Sequence, residues 1–260
     1  MKYEDMPGIR RSDLWKISKT PLHFRYEMDH PTEPTPAMIF GIAAHKMVLE
    51  PDTFFQDFEI SPIVDKRTKE GKAIWSDFCD YCNDNALDPI TPEDYDRLQE
   101  MLFAVRENDT AKQLLIGPHE MAFTWTDQMT GEKCKVKVDC LTEYNGRKYI
   151  VDYKTTDSCE DGKFERACRK YGYKFQAGMY REGVFQTYLE QYGFAFIAQE
   201  KTAPYAVRVY FCDDEFVNEG YDQFRTLIGI YHNCKETGKW YGYEGPENMP
   251  EMLMGDDEND

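Results

Sequence analysis

Lys135-Val136-Lys137-Val138-Asp139-Cys140-Leu141-Thr142-Glu143-Tyr144-Asn145-Gly146-Arg147-Lys148-Tyr149-Ile150-Val151-Asp152-Tyr153-Lys154 decides how this chain is read. Asn145-Gly146 is the strongest short hairpin signal, because both central positions of a type I′ turn need positive φ. With those two residues at the tip, Tyr144 opposes Arg147. Counting back, Leu141 opposes Ile150, Cys140 opposes Val151, and Asp139 opposes Asp152. Opposed residues have Cβ atoms about 5 Å apart, and like charges placed that way are destabilising. Alternation puts Lys154 on the face of Asp152, with Lys137 opposite it. The other face, with Val136, Val138, Cys140, Val151 and Tyr153, is expected to be the core face. A divalent cation between the aspartates would remove the repulsion, and hard oxygen ligands are what Mg²⁺ accepts. The bland alternative is a pair of splayed surface acids.

A second hairpin points to the same spot. Asp127-Gln128-Met129-Thr130-Gly131-Glu132 reads as a turn, and a four-residue loop pairs Asp127 with Glu132. That register sets Glu120 opposite Asp139, a third acid beside the first two. Around this β-rich middle (Met121–Thr126, Glu132–Glu143, Lys148–Lys154) the pattern is helical. Ser12–Glu27 reads as one helix capped by Ser12, followed by Met38–Leu49 and Gly71–Ala86. Thr91-Pro92-Glu93-Asp94 opens another, with cap, N1 proline and first-turn acids, running to Asn108. Tyr173–Tyr192 returns to helix, Phe194–Ala198 and Ala206–Phe211 read as strands, and Asp213–Thr237 is a final helix stopped by Gly238. A helical N-terminal third, a short mixed central sheet and flanking helices give an α/β (α+β) fold. Without repeats or Gly/Ser linkers, residues 1–250 read as one domain.

Composition sets the outer bounds. Aromatic residues are 15% of the chain, enough for a sizeable core, so wholesale disorder is excluded. No stretch approaches the roughly 20 apolar residues of a membrane span. The N-terminal segment lacks a signal-peptide apolar region, so a cytoplasmic location is expected. Eight scattered cysteines suit that compartment. Cys79-Asp80-Tyr81-Cys82 is the only CxxC, with no second pair at metal-ligand spacing, and reads as two reduced thiols on a helix. A net charge of −17 argues against a nucleic-acid partner unless cations are concentrated locally. They are: Lys66, Arg67, Lys69 and Lys72 form one basic segment, and Lys163 to Lys174, with Arg166, Arg169 and Lys170, another. Residues 251–260 form an acidic tail expected to stay solvated.

Asp139, twelve residues, then Asp152-Tyr153-Lys154 resembles the signature of the PD-(D/E)xK nuclease superfamily, with Val138 where proline is frequent and Asp152 in the place of Glu. Gly41-Ile42-Ala43-Ala44-His45 resembles the G-x-x-x-H helix of RecB-like nucleases. Gln176-Ala177-Gly178-Met179-Tyr180 resembles their Q-x-x-x-Y motif. Ser18-Lys19-Thr20-Pro21-Leu22-His23-Phe24-Arg25-Tyr26, the basic segment before Trp75, and Val151–Thr156 are similar to RecE-type exonucleases (exodeoxyribonuclease VIII) of phage and prophage origin.

The resemblance implies Mg²⁺-dependent hydrolysis of DNA, with Mn²⁺ able to substitute, 5′→3′ on linear double-stranded ends. It makes Asp139, Asp152, Lys154, Gln176 and Tyr180 catalytic, and His45, Glu120, Asp139 and Asp152 the metal ligands. The two basic segments are candidates for DNA-backbone contacts. It also implies a homo-oligomeric ring around the duplex, a single-strand annealing partner for the 3′ tail, and a bacterial host cell. Two alternatives stand beside it: an inert DNA-end binding or scaffolding protein, and another RecB-like nuclease of repair or CRISPR adaptation. The latter usually carries cysteines clustered near the C-terminus, whereas here Cys212 and Cys234 stand apart.

Overall fold

The computed structural model describes residues 3–247; the acidic tail lies outside the described residues. Its strands are β1 (Ile9–Arg10), β2 (Phe58–Ile60), β3 (Asp88–Ile90), β4 (His119–Thr126), β5 (Lys133–Tyr144), β6 (Arg147–Thr156), β7 (Gly193–Glu200) and β8 (Val207–Cys212). Its helices are α1 (Arg11–Trp15), α2 (Pro21–Asp29), α3 (Pro36–Leu49), α4 (Lys69–Asn85), α5 (Pro92–Glu107), α6 (Asp109–Leu114), α7 (Asp161–Tyr171), α8 (Tyr173–Tyr188) and α9 (Asp214–Thr237). Among the described residues no helix is long and apolar enough to cross a membrane.

The main sheet is mixed, ordered β1-β5-β6-β7-β8, with β4 also paired to β5. Helices cover both faces. One core joins α1, α2, α7, α8 and α9 to the sheet through Leu14, Phe164, Phe175, Met179 and Phe224. The other joins α3, α5 and α6 through Ala44, Met47, Leu98, Met101 and Leu114. Burial on both faces explains why β7 reads Phe-Ala-Phe-Ile-Ala without alternation.

Local chemistry sets most element ends. Thr35, Thr68, Thr91 and Asp213 each accept a backbone N–H two or three residues into the helix they open. The stretch expected as one helix, Ser12–Glu27, is instead α1, a 3₁₀ turn over Lys16–Ser18, and α2. Pro21 has no N–H and drives Thr20 to extended backbone. Thr20, not Ser12, then caps α2 by accepting from His23 N at 3.2 Å. Helix α8 stops four residues short of Tyr192, at a left-handed Leu189.

The Asn145-Gly146 hairpin forms in the expected register, Tyr144 with Arg147 through Cys140 with Val151. There the ladder stops. Asp139 pairs with no residue of β6, and earlier in β5 Cys134 and Lys135 pair instead with Ile9 and Arg10 of β1. β6 therefore forks away from β5 at Asp139. The fork also corrects the expected core face. Val136, Val138, Leu141 and Ile150 join the α8–α9 core, whereas Cys140, Val151 and Tyr153 join the α3–α5 core. Alternation along β5 slips by one at Asp139, because a residue with no ladder partner on either side leaves the pleat.

Candidate active site

The fork assembles the site. Where the ladder would continue, Tyr153 N–H donates to Asp139 Oδ2 at 2.7 Å, so a side chain fills the gap between the parting strands. Opposite, β4 keeps its register on both sides, His119 with Cys140 and Met121 with Val138, as the four-residue turn predicts. Glu120 between them drops out of the ladder with φ +54°. A non-glycine residue held there costs about 1–2 kcal/mol, and its carboxylate is turned toward the fork. Helix α3 brings His45 from the other layer: Nε2 lies 2.8 Å from Asp139 Oδ2, and Nδ1 3.6 Å from Glu120 Oε1. One ligand atom each from His45, Glu120 and Asp139 lie within 4.8 Å of one another.

Asp152 stands beside this trio and is 1% exposed. Its Oδ1 accepts from the Gln176 amide of α8. Lys154 Nζ closes an ion pair with Oδ2 at 2.5 Å. Lys137 pairs with Glu120 rather than facing Lys154. Tyr180 packs one turn along α8 from Gln176, against the core.

The charges are strongly interdependent. Burial pushes Asp152 up to about 6, and the Asp139 charge adds to this while Lys154 opposes it. Burial would also raise Asp139, but His45, Lys154 and the Tyr153 N–H outweigh it and hold it below the usual carboxylate range. Burial alone would lower His45; Asp139 and Glu120 outweigh it and raise it. Burial and the nearby Asp152 push the Tyr180 phenol well above its ordinary value. One acid depressed and its neighbour elevated is the mark of two carboxylates sharing a site.

One buried oxygen here, Glu120 Oε1, has no hydrogen-bond donor, the His45 ring standing 3.6 Å away. Carboxylate oxygens of Glu120 and Asp139 converging on an imidazole form a donor set that fits a divalent cation. His45, Glu120 and Asp139 would hold it, with Asp152 alongside.

His45, Lys154 and Gln176 open onto a cleft of about 620 Å³, which also touches Arg11, Ile42 and Tyr173. An adjoining groove shares Thr155, Tyr171 and Tyr173 with the cleft and is lined by Lys163, Arg166, Lys170 and Lys201. Of these, Arg166 and Lys170 make no ion pair among the described residues. Arg169 lines a different cavity together with Lys174, whose ammonium pairs with Glu219. The other basic segment lies at the start of α4, away from the cleft lining. Lys66 covers the Trp75 ring, Arg67 closes on Asp65, and Lys69 and Lys72 are exposed. Cys79 and Cys82 lie on α4 as free thiols. Arg11 and the groove Lys201 had no local signal; their neighbours are far away in sequence.

A family model described as a PDDEXK-like domain of unknown function (DUF3799) matches residues 11–248. Among solved structures, a Eubacterium rectale protein named "Putative exonuclease" superposes at TM-score 0.59 with 15% identity, over 95% of this chain and 90% of that one. At that identity the likeness is one of fold. SSO0001 aligns at TM-score 0.36 with 13% identity, over 86% of this chain and 77% of that one, too remote to inform the comparison. No curated protein matches the sequence. The forked sheet flanked by helices is the PDDEXK nuclease fold, and with the family match running from α1 past the end of α9 the chain belongs to the PDDEXK-like family.

Proposed function

We propose that this protein is a divalent-metal-dependent DNA exonuclease that uses Mg²⁺, acts 5′→3′ on linear double-stranded ends and leaves 3′ single-stranded tails for recombination. The observation that carries the reading is the convergence of ligand atoms of His45, Glu120 and Asp139 at the fork, with Asp152 and the Lys154 ammonium alongside. Within this cluster Glu120 Oε1 is left without a close donor, and a cation shared with Asp139 and His45 would satisfy it.

A divalent cation in that set supplies Lewis acidity toward a phosphodiester and lowers the pKa of a water. The residues of the chain do the rest. Asp139 is fixed by His45 and by the Tyr153 N–H, so its carboxylate does not reorganise when substrate arrives. Gln176 pins Asp152 from α8. Lys154 brings a positive charge to the edge of the acids, where it orients an attacking water or offsets charge developing on the phosphorane. Tyr180, one turn along α8 from Gln176, carries a neutral phenol able to donate a hydrogen bond at physiological pH. Arg166 and Lys170, unpaired along the adjoining groove, are placed to take backbone phosphates of the strand leaving the cleft. They supply local positive potential on a chain whose net charge is −17. Lys66 to Lys72 form a second basic surface, for duplex further from the cut.

By likeness to RecE-type exonucleases, we further propose a ring of identical subunits around the duplex and a single-strand annealing partner. A 5′-labelled linear duplex and the same DNA as a closed circle, titrated with Mg²⁺, test the activity. Nucleotide release from the linear form alone, abolished in Asp152→Ala, supports the exonuclease. Tight binding to ends with no cleavage at any Mg²⁺ concentration supports an inert end-binding protein instead.

A further inference from the structure

Four buried side-chain polar atoms among the described residues have no hydrogen-bond partner, and three of them belong to the fork and its cleft. Two are carboxylate oxygens: Glu120 Oε1, open to a cation, and Asp152 Oδ2, which the Lys154 ammonium approaches to 2.5 Å. The third is Arg11 Nε, a donor on a permanently charged group, which calls for an anionic acceptor. None of the nearby acids serves it. Asp152 is engaged by Gln176 and Lys154, Asp139 by His45 and Tyr153, and Glu120 by Lys137.

Arg11 is also held in place. At the start of α1 it reaches the C-terminal end of α7, where Nη2 donates to the carbonyls of Tyr171 and Gly172, the second at 2.9 Å. Trp15, one turn further along α1, stacks on Phe175 at 5.4 Å. Gly172 has φ +65°, and a Cβ there would meet the Trp15 ring at 2.5 Å, so the backbone is shaped to admit this packing. A planar guanidinium with one nitrogen anchored has little freedom left, and its remaining N–H groups point in fixed directions. The Arg11 side chain borders the cleft lined by His45, Lys154 and Gln176, with Nε just beneath its surface.

We propose that Arg11 binds substrate in this cleft, donating its Nε–H to a non-bridging oxygen of a phosphodiester in the bound DNA strand. The assignment rests on the nuclease reading and adds a residue outside the acid and lysine constellation. A phosphodiester, the substrate class of the proposed activity, answers both needs: its anionic oxygens accept from Arg11 and at the same time face a cation held by the acids. Without DNA the buried Arg11 Nε–H stays unsatisfied, a cost that a bound anionic oxygen would remove.

The test measures binding of a fluorescein-labelled linear duplex to the full chain in EDTA, by anisotropy across a salt series, for wild type, Arg11→Met and Arg11→Lys. Loss of one phosphate contact lowers the slope of log affinity against log salt by about 1. We expect that drop, with about tenfold weaker binding, in Arg11→Met. Arg11→Lys keeps the charge without the fork; its salt slope stays near wild type, while Mg²⁺-dependent cleavage falls by about 10²-fold. Thermal unfolding of both variants separates binding loss from misfolding. A folded Arg11→Met with an unchanged slope overturns the proposal, and if that variant does not fold, wild-type cleavage by Arg11→Lys overturns it. A wild-type chain that fails to bind duplex at low salt overturns the nuclease reading instead.

Discussion

Helices α8 and α9 touch backbone to backbone at Gly178 and Gly220, and alanine at Gly178 is a severe test of that contact. A Cβ there would meet Tyr221 N at 2.1 Å and Gly220 C at 2.2 Å. Both are backbone atoms, so no side chain can swing aside. Ordinary contact begins at 3.4 Å, and the helices must part by more than an ångström to reach it. Overpacking of this kind costs about 1–3 kcal/mol, and a backbone clash belongs at the upper end. For a domain of this size that is roughly 6–12 °C in Tm. Gly178 is two residues beyond Gln176, so the displacement also loosens the Gln176–Asp152 bond, and cleavage should fall with stability. Gly229, also on α9, is the internal control: a Cβ there meets nothing within 4 Å. Gly229→Ala should therefore gain helix propensity, about 1 kcal/mol or some 2–4 °C. Calorimetry on both variants gives the answer. Gly178→Ala within a degree of wild type, or Gly229→Ala falling as far as Gly178→Ala, would refute the packing argument.

Other expectations are shorter to state. Asp127, 3% exposed, bonds Arg225 and Thr130. Asp127→Asn strands a half-buried guanidinium and should cost about 3 kcal/mol, read by urea unfolding. Burial alone would raise the Asp127 pKa; the Arg225 and Thr130 bonds outweigh it and lower it. Its stabilisation is therefore complete above the ordinary aspartate pKa of about 4 and lost as pH falls through the lower native value. Asp127→Asn should correspondingly flatten the acid limb of a Tm–pH profile. Tyr153→Phe removes the 2.6 Å bond from its hydroxyl to Gln199 Oε1, leaving a buried acceptor unpaired at about 1–3 kcal/mol, again visible as a drop in Tm. Asp152→Asn should keep the fold by circular dichroism and lose more than about 10²-fold in cleavage rate, the scale of removing one group that stabilises the transition state.

What the sequence made legible follows from range. Asn145-Gly146 dictates its own turn, so the register of β5 on β6 could be counted, as could that of β4 on β5 across the Asp127–Glu132 loop. Thr91-Pro92 and Asp213 to Gly238 likewise carry their helix ends in adjacent residues. The fork did not announce itself. It depends on β1, two residues long and more than a hundred positions away, taking over the edge of β5 that β6 abandons. Counting therefore placed Asp139 and Asp152 as a simple facing pair on one pleated face. In the structure Asp139 leaves the pleat to bond Tyr153 N–H and His45. Helix α7 was hidden because its sequence is dominated by charge, and only Phe164 of its residues is buried. The β2–β3 ribbon is three residues a side and pairs across the whole of α4, too short and too distant for periodicity to show. The 3₁₀ break before α2 could have been read from Pro21 and the Thr20 cap. Arg11 could not, since its anchors at Tyr171 and Gly172 lie 160 and 161 positions on.

The most direct measurement is an anomalous difference map from a crystal of this protein grown with Mn²⁺. The account predicts a peak at the β5–β6 fork, within bonding distance of carboxylate oxygens of Asp139 and Glu120 and of the His45 ring, and absent in Asp139→Asn. Manganese bound elsewhere with the fork empty would contradict it.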